Sequence, residues 1–253
     1  MTLGDESADR LRFSLGLLWR VGQLPKPGPK RTLTIEGIVA AAIAIADNEG
    51  IEALSMRRVA DELGAGAMSL YRYVPSKTEL LNLMLDHVHA PTDASGCTWR
   101  EVTEAHARQT WRRYLAHPWL LQVNWSRPVP GPHMVADFDA ALAALDGLGL
   151  KDVERVMIHN VVDGYVTGLA RSYVLSQDAS KDSEISDQQH WDYMTPILDT
   201  AVATGNYPTL AVLSDSAFGA NWQKIFDFGL ERLLDGLEQF IDNQAPDRDP
   251  ELE

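Results

Sequence analysis

The sequence predicts an all-α fold, in which a small N-terminal helical unit is followed by a larger helical domain. Apolar residues recur three and four positions apart through most of the chain, the spacing that gives a helix one buried face. No segment combines alternation of apolar and polar residues with the β-branched enrichment typical of strands. Turn-forming residues mark the predicted helix boundaries in the second half, at Gly131-Pro132, Gly147-Leu148-Gly149, Gly205-Asn206 and Pro208.

Composition limits the class of protein. The chain has 253 residues and a single cysteine, Cys97, so it cannot form an intrachain disulfide and its compartment is expected to be reducing. It lacks an N-terminal basic stretch followed by a long apolar one, and no apolar run is long enough to cross a bilayer. The sequence therefore predicts a soluble, cytoplasmic protein with no membrane partner.

The net charge of −14 is unevenly distributed along the chain. Residues 1–90 hold 10 basic and 11 acidic side chains, whereas residues 91–253 hold 12 basic and 25 acidic ones. Because the acidity belongs to the C-terminal part, it does not exclude binding of nucleic acid by the N-terminal part.

The first 31 residues are predicted to be an extension that ends in a basic arm. The first eight residues are expected to be disordered, and residues 9–20 have the pattern of a short amphipathic helix. Residues 24–31 (LPKPGPKR) are too rich in proline and glycine for a regular helix. Lys30 and Arg31 make this arm suited to DNA contact, and a solvated linker is the alternative.

Four helices are predicted next, each with its own boundary signals. Thr34 is a plausible N-cap for the first, and Gly50 ends it as a left-handed cap residue would. Ser55 is the predicted N-cap of the second helix. Ser76 and Glu79 have capping-box spacing at the start of the fourth. The predicted helices span residues 34–48, 56–63, 67–73 and 77–89.

The second and third of these helices have the form of a helix-turn-helix. The turn Gly64-Ala65-Gly66 joins them, and Val59, Leu63 and Leu70 fall on their apolar faces. The outer face of the third helix carries a methionine, a serine and two tyrosines, which suit base edges and phosphates better than solvent. This pattern predicts a reading helix that lies in the major groove of DNA.

This region resembles the DNA-binding domain of the tetracycline-repressor (TetR) family of bacterial regulators. Leu70-Tyr71-Arg72-Tyr73-Val74 is similar to the family's recognition core, and Lys77 stands where the family places a lysine. The similarity is close from residue 33 to about residue 90 and looser through His117-Pro118-Trp119-Leu120 and residues 229–238. The resemblance implies a homodimer that binds a palindromic DNA operator at two half-sites one helical turn apart.

Ten residues are the predicted DNA contacts. Met68, Ser69 and Tyr71 are expected to contact bases. Tyr73 and Lys77 are expected to contact mainly phosphates. The full set is Ser55, Arg57, Ala67, Met68, Ser69, Tyr71, Tyr73 and Lys77, with Lys30 and Arg31 from the arm.

Beyond residue 91 the periodicity remains helical. The predicted helices span residues 99–116, 134–148, 153–176, 186–204 and 218–241, with a short turn of helix after Pro118. The predicted organisation is an extension with its basic arm (1–31), a helix-turn-helix DNA-binding domain (32–91), a helical ligand-binding and dimerisation domain (92–243) and a flexible tail (244–253).

Two long helices of the second domain are the predicted dimer interface. Gly164 and Gly168 lie four residues apart and would allow another helix to approach closely. Packing within one chain is the alternative, and the resemblance favours pairing because the family joins these helices in a four-helix bundle. An apolar stripe on the last helix is the second half of the predicted interface: Phe226, Leu230, Leu233, Leu237 and Ile241.

The second domain is also predicted to hold a small-molecule cavity, because its helices carry polar and aromatic groups that a plain core does not need. A structural role is the alternative for each of them. By alignment with the family, the tetracycline–magnesium site is absent: its metal-binding histidine falls at Val123 and its acidic residue at Ser172. No metal or cofactor is therefore predicted. The predicted ligand contacts are His106, Thr110, Arg113, Trp125, His159, Asp163, Tyr165 and Tyr173.

An enzyme is a poorer interpretation of this sequence. The histidines lack zinc-ligand spacing, Cys97 has no evident base beside it, and no glycine-rich phosphate loop follows a strand. The sequence predicts a sequence-specific transcriptional regulator, a repressor released by a small-molecule inducer, with no catalytic residue. A ligand-responsive activator and a protein-interaction module with an inactive helix-turn-helix are the alternatives.

Overall fold

The structure, a computed structural model, describes residues 3–20, 33–89, 97–123 and 129–244, and every regular element in these ranges is helical. The predicted all-α fold is thus confirmed. The α-helices are α1 (Leu3–Leu18), α2 (Ile35–Glu49), α3 (Met56–Glu62), α4 (Ala67–Tyr71), α5 (Lys77–His87), α6 (Trp99–Ala116), α7 (Pro132–Ala143), α8 (Asp152–Ser183), α9 (Asp187–Val202) and α10 (Trp222–Gln244). A short 3-10 helix, Pro118–Gln122, follows α6.

The predicted N-caps begin the DNA-binding helices. The side chain of Thr34 accepts a hydrogen bond from the Gly37 amide at 3.0 Å, and Ser55 accepts one from the Arg58 amide at 3.1 Å. Gly50 has φ +84° and ψ 161°, so it ends α2 outside the left-handed helical conformation that the sequence suggested. The positive φ still favours glycine, and the chain turns there directly into a 3-10 turn.

The start of α5 differs from the predicted capping box. Ser76 accepts a hydrogen bond from the Thr78 amide at 3.1 Å, as an N-cap should. The Glu79 carboxylate, however, accepts from the hydroxyl of Ser76 and, at 3.3 Å, from that of Ser14 in α1. Glu79 is buried, because α1 covers this end of α5.

The N-terminal extension is more ordered than the sequence suggested. α1 begins at Leu3, although the first eight residues were expected to be disordered, and it packs on α5. Leu17 and Leu18 are buried in this contact, which explains the helix. Trp19, which follows α1 directly, donates from Nε1 to the carbonyl of Pro130 at 3.1 Å, so the extension contacts both domains.

One apolar core runs through both domains. α6, α8 and α10 pack against one another around Trp111, Val166 and Phe226, and α7 lies over α5, α6 and α8. Trp119, from the 3-10 helix after α6, joins this core to α2, and its Nε1 donates to Asp47 at 2.8 Å. The second helical domain therefore rests directly on the helices of the first. Among the described helices, none has the length and apolar character that crossing a bilayer requires.

The apolar stripe predicted as a dimer interface on α10 lies in the core of the chain instead. Phe226, Leu230 and Ile241 are buried, and Leu233 and Leu237 pack against the same core. This prediction was wrong because α6 and α8 of the same chain cover that face of α10.

Candidate DNA interface and ligand cavity

The reading helix α4 has two faces of opposite character. Leu70 is 0% exposed and anchors the helix to the core, together with Val74 just beyond it. On the other side Met68 is 79% exposed and Tyr71 is 43% exposed. Large apolar side chains held out on a rigid helix indicate a contact surface, because exposing them to water is unfavourable.

The remaining predicted DNA contacts of the helical region surround α4. Lys77 is exposed at the start of α5, and Ser55 is exposed at the start of α3. Ser69 is half-buried, while Ala67 and Tyr73 are half-buried and pack against the core. The two arm residues Lys30 and Arg31 lie outside the described residues.

The two adjacent arginines of α3 have different environments. Arg58 forms ion pairs with Glu49 at 2.5 Å and Glu62 at 2.8 Å, and these hydrogen bonds raise the pKa of its guanidinium. Arg57 is exposed, as is Arg72 at the end of α4, which the sequence reasoning did not include. Arg57 is therefore the arginine of the α3 pair that is available for DNA.

A cavity of about 800 Å³ lies between α6, α7 and α8. Its volume is within the range of small-molecule sites. Four predicted ligand contacts line it, namely His106, Arg113, His159 and Asp163. The rest of its lining is His89, Tyr114, Leu120, Pro130, Met134, Val135, Asp137, Phe138, Asn160, Gly164, Thr167 and Gly168.

A buried polar cluster forms one wall of this cavity. Asp137, in the middle of α7, accepts a hydrogen bond from Arg113 Nη1 at 3.2 Å, and its other oxygen lies 3.4 Å from His106 Nδ1. Arg113 Nη2 also donates to Thr110 at 2.9 Å. His106 is 4% exposed, yet its Nε2 has no hydrogen-bond partner within the described part of the chain. A buried polar atom without a partner is where a ligand would bond.

The cluster has a defined charge state at neutral pH. Burial raises the pKa of Asp137, but the neighbouring His106 and Arg113 outweigh it, so the pKa lies below its ordinary value of 3.8. Burial is the main cause that lowers the pKa of both His159 and His89, and the charge of Arg113 adds to it in both cases. Asp137 and Arg113 are thus an ion pair beside two neutral histidines.

Two tyrosines predicted to contact ligand lie elsewhere. The Tyr165 hydroxyl donates to the carbonyl of Phe226 in α10 at 2.8 Å. The Tyr173 ring lies 5.9 Å from the rings of Trp111 and Trp222. Successive residues of a helix point about 100° apart, so these two tyrosines lie on a different face of α8 from the residues that line the cavity. They join α8 to α6 and α10 instead.

Two further predicted contacts need separate mention. Thr110 is buried behind Arg113 and supports it without lining the cavity. Trp125 lies outside the described residues. The sequence analysis did not include Asp137. An acidic residue on a largely apolar helix could have indicated a buried ion pair, because a buried guanidinium such as that of Arg113 needs a carboxylate partner.

Another cavity, also of about 800 Å³, lies between α1 and α5. Leu11, Phe13 and Val129 line it, together with Ser14 and Glu79. Ser14 and Glu79 are hydrogen-bonded to each other, and among the described lining residues no buried side-chain atom lacks a partner as His106 Nε2 does. In the described ranges, no group of three or more histidine, cysteine or acidic side chains is suited to hold a metal ion.

The chain matches two family models that together span most of its length. Residues 38–84 match the model described as bacterial regulatory proteins, tetR family, and residues 90–241 match the tetracyclin repressor-like C-terminal domain. The transcriptional repressor DrrR1 of Streptomyces coeruleorubidus is 48% identical over 232 residues, which cover 90% of this chain and 86% of DrrR1.

Solved structures show the same relationship. Apo ActR of Streptomyces coelicolor is 30% identical and superposes with a TM-score of 0.68 over 84% of this chain and 98% of ActR. ActR in complex with actinorhodin gives 29% identity and a TM-score of 0.67 over 83% and 98%. The chain therefore belongs to the TetR family of DNA-binding transcriptional regulators, whose members here include the named repressor DrrR1 and, in ActR, a protein solved with a bound small molecule.

Proposed function

We propose that the chain represses transcription by placing α4 of each protomer in the major groove, and that a small molecule in the cavity between α6, α7 and α8 ends the repression. The observation that carries this proposal is the exposure of Met68 and Tyr71 on a helix anchored by the buried Leu70. Met68, Ser69 and Tyr71 contact bases, and Lys77 contacts phosphate. The protein has no catalytic role in this proposal and acts in the cytoplasm.

The dimer forms through exposed faces of α8 and α10. Val153, Met157 and Val161 form an exposed apolar line along α8, which Gly164 and Gly168 continue. Among the described residues, no atom lies within 4 Å of a Cβ built at either glycine, so both leave room for a partner helix. On α10 the exposed apolar residues are Ile225, Phe228 and Phe240. Burying these side chains against a second copy removes apolar surface from water, which favours association.

The cavity suits a flat aromatic effector that carries a hydrogen-bond donor. The Asp137 carboxylate beside His106 Nδ1 favours the proton on that nitrogen, which leaves a lone pair on Nε2. A hydroxyl group of the effector would donate to this lone pair. Phe138 meets the His159 ring edge-on at 4.9 Å, and this pair offers an aromatic surface for the rest of the molecule.

The DNA contacts are tested with an operator fragment selected in vitro from random duplexes. Met68→Ala should weaken binding to this operator by about 5- to 150-fold, the equivalent of about 1–3 kcal/mol, and leave binding to random DNA unchanged. Lys77→Ala should weaken binding to the operator and to random DNA alike. It should also reduce the slope of log affinity against log salt concentration by about 0.9 per lost phosphate contact. If both variants lose affinity equally for both DNAs, α4 does not read bases.

The basic arm is tested by substitution rather than by truncation, because removing the residues before α2 would also remove α1 from the core. Lys30→Ala combined with Arg31→Ala should remove up to four phosphate contacts from the dimer, or about 3.6 from the slope of log affinity against log salt. An unchanged slope would make the arm a linker.

The effector site is tested with actinorhodin, the molecule bound in one ActR structure, as the probe. We expect it to bind this protein, to quench tryptophan fluorescence and to weaken operator binding, with an equal reciprocal effect of operator on probe affinity. His106→Phe should abolish probe binding and keep operator binding. Probe binding that His106→Phe leaves intact would refute the assigned cavity, and equal probe affinity with and without operator would refute the induction model.

A further inference from the structure

One helix of the effector cavity is capped from the DNA-binding domain. The N-cap position of α7 is Gly131, which has no side chain to satisfy the first amides of the helix. Asp86, near the end of α5, supplies the missing cap. Its Oδ1 accepts hydrogen bonds from the backbone amides of His133 and Met134, both at 3.0 Å, and its Oδ2 lies 2.9 Å from His133 Nδ1.

The fit between the two helices is close. Asp86 is 5% exposed, and a Cβ added to Gly131 would overlap its carboxylate. A carboxylate at a helix N-terminus also interacts favourably with the helix dipole. The contact therefore has three hydrogen bonds, a charge–dipole interaction and a position where only glycine fits, and it fixes the end of α5 to the start of α7.

α7 connects this cap to the ligand cavity. Met134, Val135, Asp137 and Phe138 all line the cavity, and Met134 donates one of the amides that Asp86 accepts. At its other end α5 begins at Lys77, directly after the reading helix. A displacement of α7 by a ligand would thus reach α5 through the Asp86 cap.

We propose that Asp86 is a positioning residue, which sets the angle of the DNA-reading head relative to the effector cavity by capping α7. This inference rests on the proposed function and adds the contact through which the cavity acts on the head. When a ligand moves α7, the capped end of α5 follows it. When the cap is absent, the reading head is no longer held at the spacing that the operator requires.

The expected movement is measurable. α5 has 11 residues and is therefore about 16 Å long, so a rotation of about 10° moves its far end by about 3 Å. In a symmetric dimer the distance between the two reading heads then changes by up to about 6 Å. Allosteric couplings of typical size would weaken operator binding by about 5- to 150-fold.

The test measures the distance between the heads in the full-length, ligand-free dimer. A spin label is placed at the exposed position 61 of α3 (Asp61→Cys, in a Cys97→Ser background), and the label-to-label distance is recorded by double electron–electron resonance. Asp86→Ala and Gly131→Ala should each broaden or shift this distance by several ångströms and weaken binding to the selected operator. Asp86→Asn, which keeps one acceptor oxygen, should have a smaller effect.

Two controls separate positioning from stability. Ala105→Ser, at an exposed position of α6 outside the cavity lining and the proposed dimer faces, should leave distance and operator affinity unchanged. Asp47→Ala removes another carboxylate that joins the domains, through its contacts with His117 and Trp119. Because neither of these two residues lines the cavity, Asp47→Ala should keep the wild-type distance.

The outcomes distinguish the proposals. A lower melting temperature with wild-type distance and affinity in both Asp86→Ala and Gly131→Ala would reduce the cap to a structural role and overturn the inference. A shift of the label-to-label distance in Asp47→Ala as large as that in Asp86→Ala would also overturn it. If the wild-type protein selects no DNA sequence, the proposed function fails, while the distance measurement still decides the role of Asp86.

Discussion

Removing Asp137 should destabilise the protein more than most single substitutions, because it leaves a buried charge without its partner. The side chain of Arg113 is 9% exposed and that of Asp137 is 5% exposed. Breaking such a pair by removing one member costs about 3–5 kcal/mol. In Asp137→Leu, Arg113 keeps its hydrogen bond to Thr110. We therefore expect the unfolding free energy to decrease by an amount near the lower limit, about 3 kcal/mol.

Replacing both members should restore most of the stability. Arg113→Met combined with Asp137→Leu fills the same space with apolar groups and removes both charges, which is often neutral or even stabilising. Urea unfolding followed by circular dichroism measures Asp137→Leu, Arg113→Met and the double variant, at one fixed protomer concentration because the protein is a dimer. With a slope of about 3 kcal/mol per molar urea, a loss of about 3 kcal/mol lowers the midpoint by about 1 M.

Two results would refute this reasoning. One is a decrease of the unfolding free energy by less than about 1 kcal/mol in Asp137→Leu. Such a small decrease is typical of exposed ion pairs and would mean that water reaches this pair. The other is a double variant as unstable as the sum of the two single variants, which would mean that the two side chains do not interact.

Two further predictions concern the same domain. The folded-state pKa of His159 lies below its ordinary value of 6.5, so the unfolded chain binds more protons than the folded one once the pH falls below that value. The unfolding free energy should therefore be highest above pH of about 6.5 and decrease below it, and the decrease should be less steep in His159→Gln. Parallel pH profiles of the unfolding free energy in the two proteins would contradict this. Gly229→Ala should lower the unfolding free energy by about 1–3 kcal/mol, because the new Cβ overlaps Tyr165. Urea unfolding measures this change, and an unchanged or higher unfolding free energy would mean that Tyr165 moves aside freely.

Part of the site was accessible to sequence reasoning. His106, Arg113, His159 and Asp163 are polar residues on otherwise amphipathic helices, and all four line the cavity. The same reasoning selected Tyr165 and Tyr173, which face α10 and the aromatic cluster around Trp111. A polar residue on a helix is visible in the sequence, but the direction it faces depends on which neighbour covers each side.

What the sequence by itself determined is local. Thr34, Ser55 and Ser76 cap their helices through amides two or three residues away, and helical spacing of apolar residues gives each helix its buried face. These signals act between neighbours in the chain, so the helix-turn-helix and its exposed Met68 follow from the sequence without any knowledge of packing. The family resemblance rests on the same local pattern.

Only the tertiary structure decided which distant residues meet. Asp86 caps a helix that begins 46 residues later at Pro132, and Asp137 meets Arg113 across two helices. Neither pairing has a signal in sequence spacing, because the partner of a buried carboxylate is set by how the helices pack. The apolar stripe of α10 is a third example, because it would look the same in the sequence whether it were buried within one chain or between two. Helical periodicity shows that a face is buried, and packing alone decides which residues cover it; here they belong to the same chain.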